Sequence, residues 1–212
     1  EGCKVTSDSL TTNSPDTPCY IEISDESKLF FLDHSISNSF LKGKFASRIQ
    51  KYQTENLIKK AFGKNISSMS ILDCTGGLGH DTFILALLGA NVTYVEQNKG
   101  LTILFEEALR RLPPTKYFTD AVKRITVRQS DSRAFLEQAD QYDAIYIDPM
   151  FNSKKKLARN KTMTFLDMYL DDHGDELFDQ FVSANYKRLV VKKEGRAAVS
   201  YTHLRAHETF HD

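Results

Sequence analysis

A short apolar stretch runs into a glycine-rich turn at Ile71-Leu72-Asp73-Cys74-Thr75-Gly76-Gly77-Leu78-Gly79-His80-Asp81. Glycine adopts backbone angles that other residues avoid, and it lets the backbone approach a ligand closely. The apolar residues before the turn predict a buried strand, and residues 79–88 predict a helix that ends at Gly89. The stretch therefore predicts a strand, a tight turn and a helix whose first N–H groups face the turn.

Strand and helix patterns alternate along the chain after this turn. Strands are predicted over residues 91–96, 124–127, 142–147 and 188–191. Helical patterns separate them in residues 100–112, 132–139 and 161–182. Such alternation is typical of a parallel sheet with right-handed crossovers. We therefore predict the α/β class, with a doubly wound, Rossmann-like sheet in a domain over residues 45–198.

The two ends of the chain have different patterns. Strand patterns at 19–23 and 28–32 predict a small N-terminal β element over residues 19–44, and a helical pattern follows from 45 to 62. Residues 1–18 are rich in Ser, Thr, Asp and Pro, so we expect a flexible lead-in. Residues 199–212 show no strand signal after an incomplete sheet. We interpret them as a non-native tail and the domain before them as truncated at its C-terminal end.

Composition excludes several classes of protein. Of the 212 residues, 41% are hydrophobic and 26% charged, which is ordinary globular usage and argues against collagen-like, coiled-coil and wholly disordered chains. No apolar run reaches the length of a membrane span, so we expect no membrane partner. Three cysteines make no disulfide scaffold, and a reducing, cytoplasmic location is expected. No metal site is predicted, because the histidines of the tail have no carboxylate or cysteine motif beside them.

The glycine turn suits two ligands, a dinucleotide or S-adenosylmethionine. Glu96 ends the next predicted strand, where a carboxylate can accept hydrogen bonds from a ribose diol. The dinucleotide pattern requires a further glycine where this chain has Thr82. Asp73, directly before the turn, attracts the cationic groups of S-adenosylmethionine and would repel a pyrophosphate. This favours S-adenosylmethionine as the cofactor and leaves a nicotinamide-dependent oxidoreductase as an alternative.

Asp131 follows the third predicted strand, at the expected position of a cofactor adenine. It could accept a hydrogen bond from the adenine amino group, or it could cap the helix that follows, and the two roles are compatible. The candidate cofactor-binding residues are Asp73, Thr75, Gly77, Gly79, Glu96 and Asp131.

The turn Asp148-Pro149-Met150-Phe151 follows the fourth predicted strand, at the edge where open α/β sheets bind ligands. The Asp148 carboxylate and the Pro149 carbonyl can accept the two hydrogens of a planar exocyclic amine, and Phe151 can stack on the ring that carries it. Such acceptors favour the charge that develops as the amine attacks a methyl group. An ordinary Asp-Pro turn is the alternative. Asp148, Pro149 and Phe151 are the candidate catalytic residues.

Basic residues cluster near this turn although the chain has 28 Lys and Arg against 28 Asp and Glu. Residues 151–161 are basic without an acid, residues 187–196 form a second basic run that we expect at the same edge, and residues 42–51 form a third. Basic groups around a base pocket suit RNA phosphates, although solvated surface charges are the common alternative. The candidate RNA-binding residues are Arg48, Lys154, Lys155, Lys192 and Lys193.

Taken together, these motifs resemble the bacterial small-subunit ribosomal RNA methyltransferase J family. The resemblance covers about residues 19–195 and depends on the glycine turn, Glu96, the turn at 148–151 and Arg188-Leu-Val-Val-Lys192-Lys193. Gly76 stands where the family usually has alanine, and Asn152 where it usually has proline. The resemblance implies methyl transfer from S-adenosylmethionine to the exocyclic N2 amine of a guanine in 16S rRNA of the small ribosomal subunit.

Other functions fit the same residues. A related turn could serve an amino-methyltransferase that acts on another base or on DNA. A nicotinamide-dependent oxidoreductase and an inactive RNA-binding module are the remaining alternatives.

Overall fold

The structure, a computed structural model, describes residues 4–6, 19–63, 65–148, 161–170, 174–192 and 199–202. These residues form a four-stranded sheet at the N-terminus and a six-stranded sheet after it. The first sheet contains, in chain order, β1 (Lys4–Thr6), β2 (Cys19–Glu22), β3 (Lys28–Phe31) and β4 (His34–Ser37). Strands β2, β3 and β4 pair antiparallel, and β1 pairs parallel with β2. The predicted small N-terminal β element is confirmed.

The second sheet confirms the predicted doubly wound α/β fold. Its strands are β5 (Ser70–Asp73), β6 (Asn91–Glu96), β7 (Ile125–Gln129), β8 (Ala144–Ile147), β9 (Arg188–Val191) and β10 (Val199–Thr202). Their order is β10-β9-β8-β5-β6-β7, and all neighbours pair parallel except β10, which runs antiparallel to β9. The chain order reverses between β5 and β8, so a ligand crevice is expected at their carboxyl ends.

Helices cover both faces of this sheet. The α-helices are α1 (Gly43–Gln50), α2 (Asn56–Phe62), α3 (His80–Leu87), α4 (Lys99–Arg110), α5 (Lys116–Val122), α6 (Lys161–Tyr169) and α7 (Gly174–Val182). Two 3-10 helices are Tyr52–Thr54 and Ser132–Gln141.

Strand β5 contributes to the core on both sides, because successive side chains point to opposite faces. Ile71 packs in the cluster that contains Phe83 of α3, and Leu72 packs in the cluster that contains Phe181 of α7. Burial of an aromatic or aliphatic side chain stabilises the fold by about 1.5–3 kcal/mol each. The strand that leads into the glycine turn is therefore fixed from both faces.

The N-terminal sheet packs on the flank of the main domain. Its buried residues Ile21, Leu29 and Ile36 join a third cluster with residues of α4 and α6. The Leu29 side chain lies so close to Gly100 of α4 that a Cβ there would come within 2.9 Å of it. The β element is therefore part of the same packed body as the helix that follows β6.

Several local expectations need correction. The predicted helix over 45–62 divides into α1, a 3-10 turn and α2, because the backbone leaves helical angles at Lys51 (φ −106°, ψ 17°) and at Glu55 (φ −70°, ψ 66°). The helical stretch in 161–182 likewise forms two helices, α6 and α7. Strand β4 and helix α5 were not predicted.

Strands also form in both terminal segments. β1 lies within residues 1–18, the expected flexible lead-in. β10 lies within residues 199–212, the expected non-native tail, where the sequence pattern predicts no strand. Each pairs with the outer edge of a sheet, at β2 and β9, where unpaired backbone groups offer hydrogen bonds that a weak strand pattern alone does not reveal. The remaining residues of 1–18 and 203–212 lie outside the described residues.

Candidate active site

The glycine turn between β5 and α3 has the backbone that the sequence predicts. Gly77 and Gly79 have positive φ angles of 51° and 72°. A Cβ at Gly79 would lie 2.1 Å from the buried ring of Phe105, so a side chain there has no room. The Tyr94 hydroxyl donates to the Gly77 carbonyl at 2.7 Å. Tyr94 of β6 and Phe105 of α4 thus fix the position of the turn.

Glu96, at the end of β6, lies against this turn. Its Oε2 accepts from the Gly77 N–H at 2.9 Å, and its Oε1 accepts from the Asn98 N–H at 2.7 Å. Burial raises the pKa of Glu96, and the backbone N–H groups of Asn98, Gly77 and Gln97 oppose that rise. A carboxylate has about four acceptor positions, so acceptor capacity remains for a ribose hydroxyl. The geometry is compatible with the predicted ribose contact, which stays a prediction.

Asp73 is buried and braces the turn. Its Oδ1 accepts from the Thr75 N–H at 3.1 Å and its Oδ2 from the Thr82 hydroxyl at 2.5 Å. Burial raises its pKa to about 7. Asp73 therefore joins the strand end, the turn and the start of α3. The predicted contacts of Asp73 and Thr75 with a cofactor remain predictions.

Asp131 caps the 3-10 helix Ser132–Gln141. Its Oδ1 accepts from the Arg133 N–H at 2.9 Å, and the Arg133 side chain forms an ion pair with the same carboxylate. Asp131 thus has the helix-capping role that is one of its two expected roles, and it follows the carboxyl end of β7. An adenine contact is compatible with it and stays a prediction.

Asp148, at the end of β8, lies next to the glycine turn. Its N–H donates to the Thr75 hydroxyl at 2.7 Å, which joins the end of β8 to the glycine turn. Its Oδ2 accepts from Lys192 Nζ at 2.6 Å. Burial raises the pKa of Asp148, and Lys192 opposes that rise. Pro149 and Phe151 lie outside the described residues.

An ion-pair cluster behind Asp148 was not predicted. Asp81, on the first turn of α3, accepts from Arg48 at 2.6 Å, from the Tyr146 hydroxyl at 2.6 Å and from Lys192 at 2.9 Å. Arg48 also pairs with Glu55 at 2.6 Å. We call these residues, together with Asp148, the Asp81 cluster. Its members come from distant parts of the chain, so no local spacing reveals it.

Charge pairing accounts for the state of Asp81. Burial would raise its pKa, but Lys192 and Arg48 hold it well below the usual range. Burial would lower the pKa of Lys192, but Asp81 and Asp148 raise it. Asp81, Lys192 and Arg48 are therefore charged near neutral pH. Arg48 and Lys192, both candidates for RNA binding, are engaged with carboxylates in this structure.

His80 and Cys74 lie beside the turn without a catalytic arrangement. The His80 ring stacks on Phe45 with centroids 4.0 Å apart, and burial lowers its pKa to about 4. Cys74 is buried, and burial raises the pKa of its thiol well above the usual value. Both side chains pack in the form that carries no charge.

The second basic run is divided between the two edges of the sheet, contrary to expectation. Lys187 pairs with Asp143 at 3.4 Å before β8 and β9 begin, whereas Lys192 follows β9 beside Asp148. A strand of four residues separates the two lysines, so only the end of the run lies at the candidate site. Lys154, Lys155 and Lys193 lie outside the described residues.

Two kinds of feature are absent from the described part of the chain. No group of three or more His, Cys, Asp or Glu side chains there is arranged to hold a metal ion. No helix there has the length and apolar composition that crossing a bilayer requires.

Curated bacterial proteins are similar to this chain in sequence. Ribosomal RNA small subunit methyltransferase J of Francisella tularensis subsp. novicida is 32% identical over 144 residues, which are 67% of this chain and 59% of that protein. The protein of the same name from Acinetobacter baylyi is 33% identical over 60% of this chain and 53% of its own. The chain thus spans less than two thirds of the length of these relatives.

A solved structure has the same architecture. The crystal structure of a SAM-dependent methyltransferase from Neisseria gonorrhoeae superimposes with a TM-score of 0.61 at 23% identity, over 86% of this chain and 74% of that one. A family model, SAM_MT, described as "Putative SAM-dependent methyltransferase", matches residues 19–207. That match spans strands β2 to β10, the glycine turn and the Asp-Pro turn, and the chain accordingly belongs to this family of methyltransferases that depend on S-adenosylmethionine.

Proposed function

We propose that this chain transfers a methyl group from S-adenosylmethionine to the exocyclic N2 amine of a guanine in the 16S rRNA of the small ribosomal subunit. The observation that carries the proposal is the 2.7 Å hydrogen bond from the Asp148 N–H to the Thr75 hydroxyl. It holds the carboxylate for an amine directly beside the cofactor turn. The ribosomal RNA methyltransferases to which the chain is similar support the choice of substrate.

The residues at the glycine turn fit the cofactor. S-adenosylmethionine supplies, when bound, a methyl group on a cationic sulfonium. Glu96 keeps acceptor positions for a ribose diol, and Gly77 and Gly79 place backbone close to the ligand without side chains. Asp73 and Thr75 maintain the shape of the turn. Asp131 lies at the edge where we propose the adenine.

Asp148, Pro149 and Phe151 are proposed to hold the target base. The free oxygen of Asp148 and the Pro149 carbonyl accept the two amine hydrogens, and Phe151 stacks on the purine. The lone pair of such an amine is delocalised into the ring, so acceptors that stabilise developing positive charge lower the barrier. A strong general base is unnecessary if the proton leaves after transfer.

RNA binding is proposed at the same edge of the sheet. Lys154, Lys155 and Lys193 follow the Asp-Pro turn and β9 in sequence, where phosphates around a target base would lie. A guanine within stacked RNA must be unstacked to reach Asp148. The proposed substrate belongs to the ribosome, so we propose that the protein acts in the cytoplasm.

Methyl-label transfer tests the substrate. The purified chain is incubated with labelled S-adenosylmethionine and either 30S subunits assembled on an unmodified 16S rRNA transcript or duplex DNA. We expect label in N2-methylguanine of the RNA alone, and transfer lowered about 100-fold or more with Asp148→Ala. Label on DNA alone would overturn the RNA substrate.

Calorimetry tests the cofactor separately. We expect S-adenosylhomocysteine to bind and NAD to give no heat of binding. The reverse result would end the methyltransferase proposal. A chain that binds S-adenosylhomocysteine and RNA but transfers no label would be an inactive RNA-binding module.

A further inference from the structure

Lys192 lies between two carboxylates at the candidate site. Its Nζ is 2.6 Å from Asp148 Oδ2 and 2.9 Å from Asp81 Oδ2. Its backbone N–H donates to the Ile147 carbonyl at 2.9 Å, which anchors the residue at the end of β8. An ammonium group that already pairs with two carboxylates is less available to a phosphate than the ammonium group of an unpaired surface lysine.

Asp81 fixes the position of this ammonium group. Its side chain is only 10% exposed, and it also accepts from Arg48 and from Tyr146. Arg48 is held in turn by Glu55 on the other side. Breaking a pair of this kind leaves a charge with little solvent, which is costly. Residues of α1, α3 and β8 therefore determine where Lys192 Nζ lies.

We propose that Lys192, held by Asp81, is a positioning residue that keeps Asp148 ionised and directs its other oxygen toward the target amine. This inference rests on the proposed function. With Oδ2 occupied by the ammonium group, Oδ1 is the acceptor that remains for an amine N–H. Lys192 thereby acts through Asp148, and not on the RNA backbone.

The charges around Asp148 support this role. Burial raises its pKa and Asp81 adds to the rise, whereas Lys192, in direct contact, and Arg48 lower it. Asp73 lies close enough for its own pKa to be raised by Asp148, and the Tyr146 phenol stays neutral because burial and nearby carboxylates raise its pKa. Lys192 is therefore the principal group that opposes protonation of Asp148.

Carbon NMR of 13C-labelled Asp carboxyls measures this without substrate. The Asp148 signal is identified by its loss in Asp148→Asn. In Lys192→Met we expect its titration midpoint to rise by about one pH unit or more, as removal of an opposite charge in contact requires. Lys192→Arg should bring the Asp148 midpoint back close to its wild-type value. Lys187→Met, which breaks the Lys–Asp pair at the opposite edge, is the matched control and should leave the Asp148 midpoint unchanged.

The activity of the same variants tests the link to catalysis. The acid limb of the kcat profile should move upward with the Asp148 midpoint in Lys192→Met, with KM for RNA unchanged. If that variant does not fold, Lys192→Gln gives the same measurement. An unmoved Asp148 midpoint in a folded variant would overturn the inference. So would a raised KM and a smaller salt dependence at unchanged kcat, because they identify a phosphate contact.

The two proposals fail in different ways. A wild-type chain that transfers no methyl group to RNA would overturn the proposed function and, with it, the role of Lys192 toward an amine. A wild-type chain that transfers the label, together with a Lys192→Met variant of unchanged pH profile, would overturn only the inference.

Discussion

Replacing Gly79 by alanine tests the packing of the glycine turn. The residue has φ of 72°, and a Cβ would lie 2.1 Å from the Phe105 ring. The ring cannot move freely, because it is fully buried and stacks on Tyr94 with centroids 4.2 Å apart. The variant must therefore displace either the ring or the turn.

The magnitude has two parts. A left-handed conformation costs an alanine about 1 kcal/mol relative to glycine. Forcing an extra carbon into a packed core costs about 1–3 kcal/mol more. We expect Gly79→Ala to lower the free energy of unfolding by about 2–4 kcal/mol, as the sum of these two estimates.

Gly43→Ala separates the two parts. Gly43 has a similar φ of 63°, but a Cβ there meets no atom within 4 Å. It should therefore lose only the conformational part, about 1 kcal/mol. Both variants are compared with wild type by urea denaturation, with equal m-values as the condition for comparing them. Equal losses in the two variants would refute the argument from the Phe105 contact.

Three further variants probe the site. Asp148→Ala should lower methyl transfer about 100-fold or more, the effect of losing a transition-state acceptor, with little change in calorimetric affinity for S-adenosylhomocysteine; equal activity would refute its role. Glu96→Ala should weaken S-adenosylhomocysteine binding about tenfold or more, and an unchanged Kd would contradict the ribose contact. Asp73 has a folded-state pKa raised to about 7, so its contribution favours folding at low pH and declines as the pH rises toward 7. The free energy of unfolding of Asp73→Asn, measured from pH 4 to 8, should therefore improve relative to wild type with rising pH, and a parallel pH dependence would contradict the assignment.

Local patterns predicted the main sheet because each of its five parallel strands has a short apolar run or an alternating apolar pattern between turn signals. The glycine turn could be predicted equally well, since Gly77 and Gly79 adopt backbone angles that other residues avoid. The edges of the sheets were harder. β1 and β10 form at exposed strand edges, so their pairing depends on a partner strand rather than on their own residues.

The ion pairs could not be read from the sequence for a related reason. Arg48 and Asp81 are 33 positions apart, and Lys192 and Asp81 are 111 apart. Basic residues near a predicted base pocket indicated phosphate contacts for Arg48 and Lys192. Only the packing of α1 and β9 against the start of α3 brings these cations to a buried carboxylate.

Two Lys–Asp pairs flank β8 and β9, one at each end, and together they constrain the length of both strands. Tyr146 lies opposite Val190, and the same offset sets Asp143 opposite Lys187 and Asp148 opposite Lys192. A slip of one residue would separate both pairs at once and turn the apolar side chains to the wrong face. An insertion in one strand would leave at most one pair intact, whereas matched insertions in both would keep the two. The number of residues between the two edges of the sheet must therefore stay equal in β8 and β9. This requirement also fixes the position of Asp148 at the end of β8.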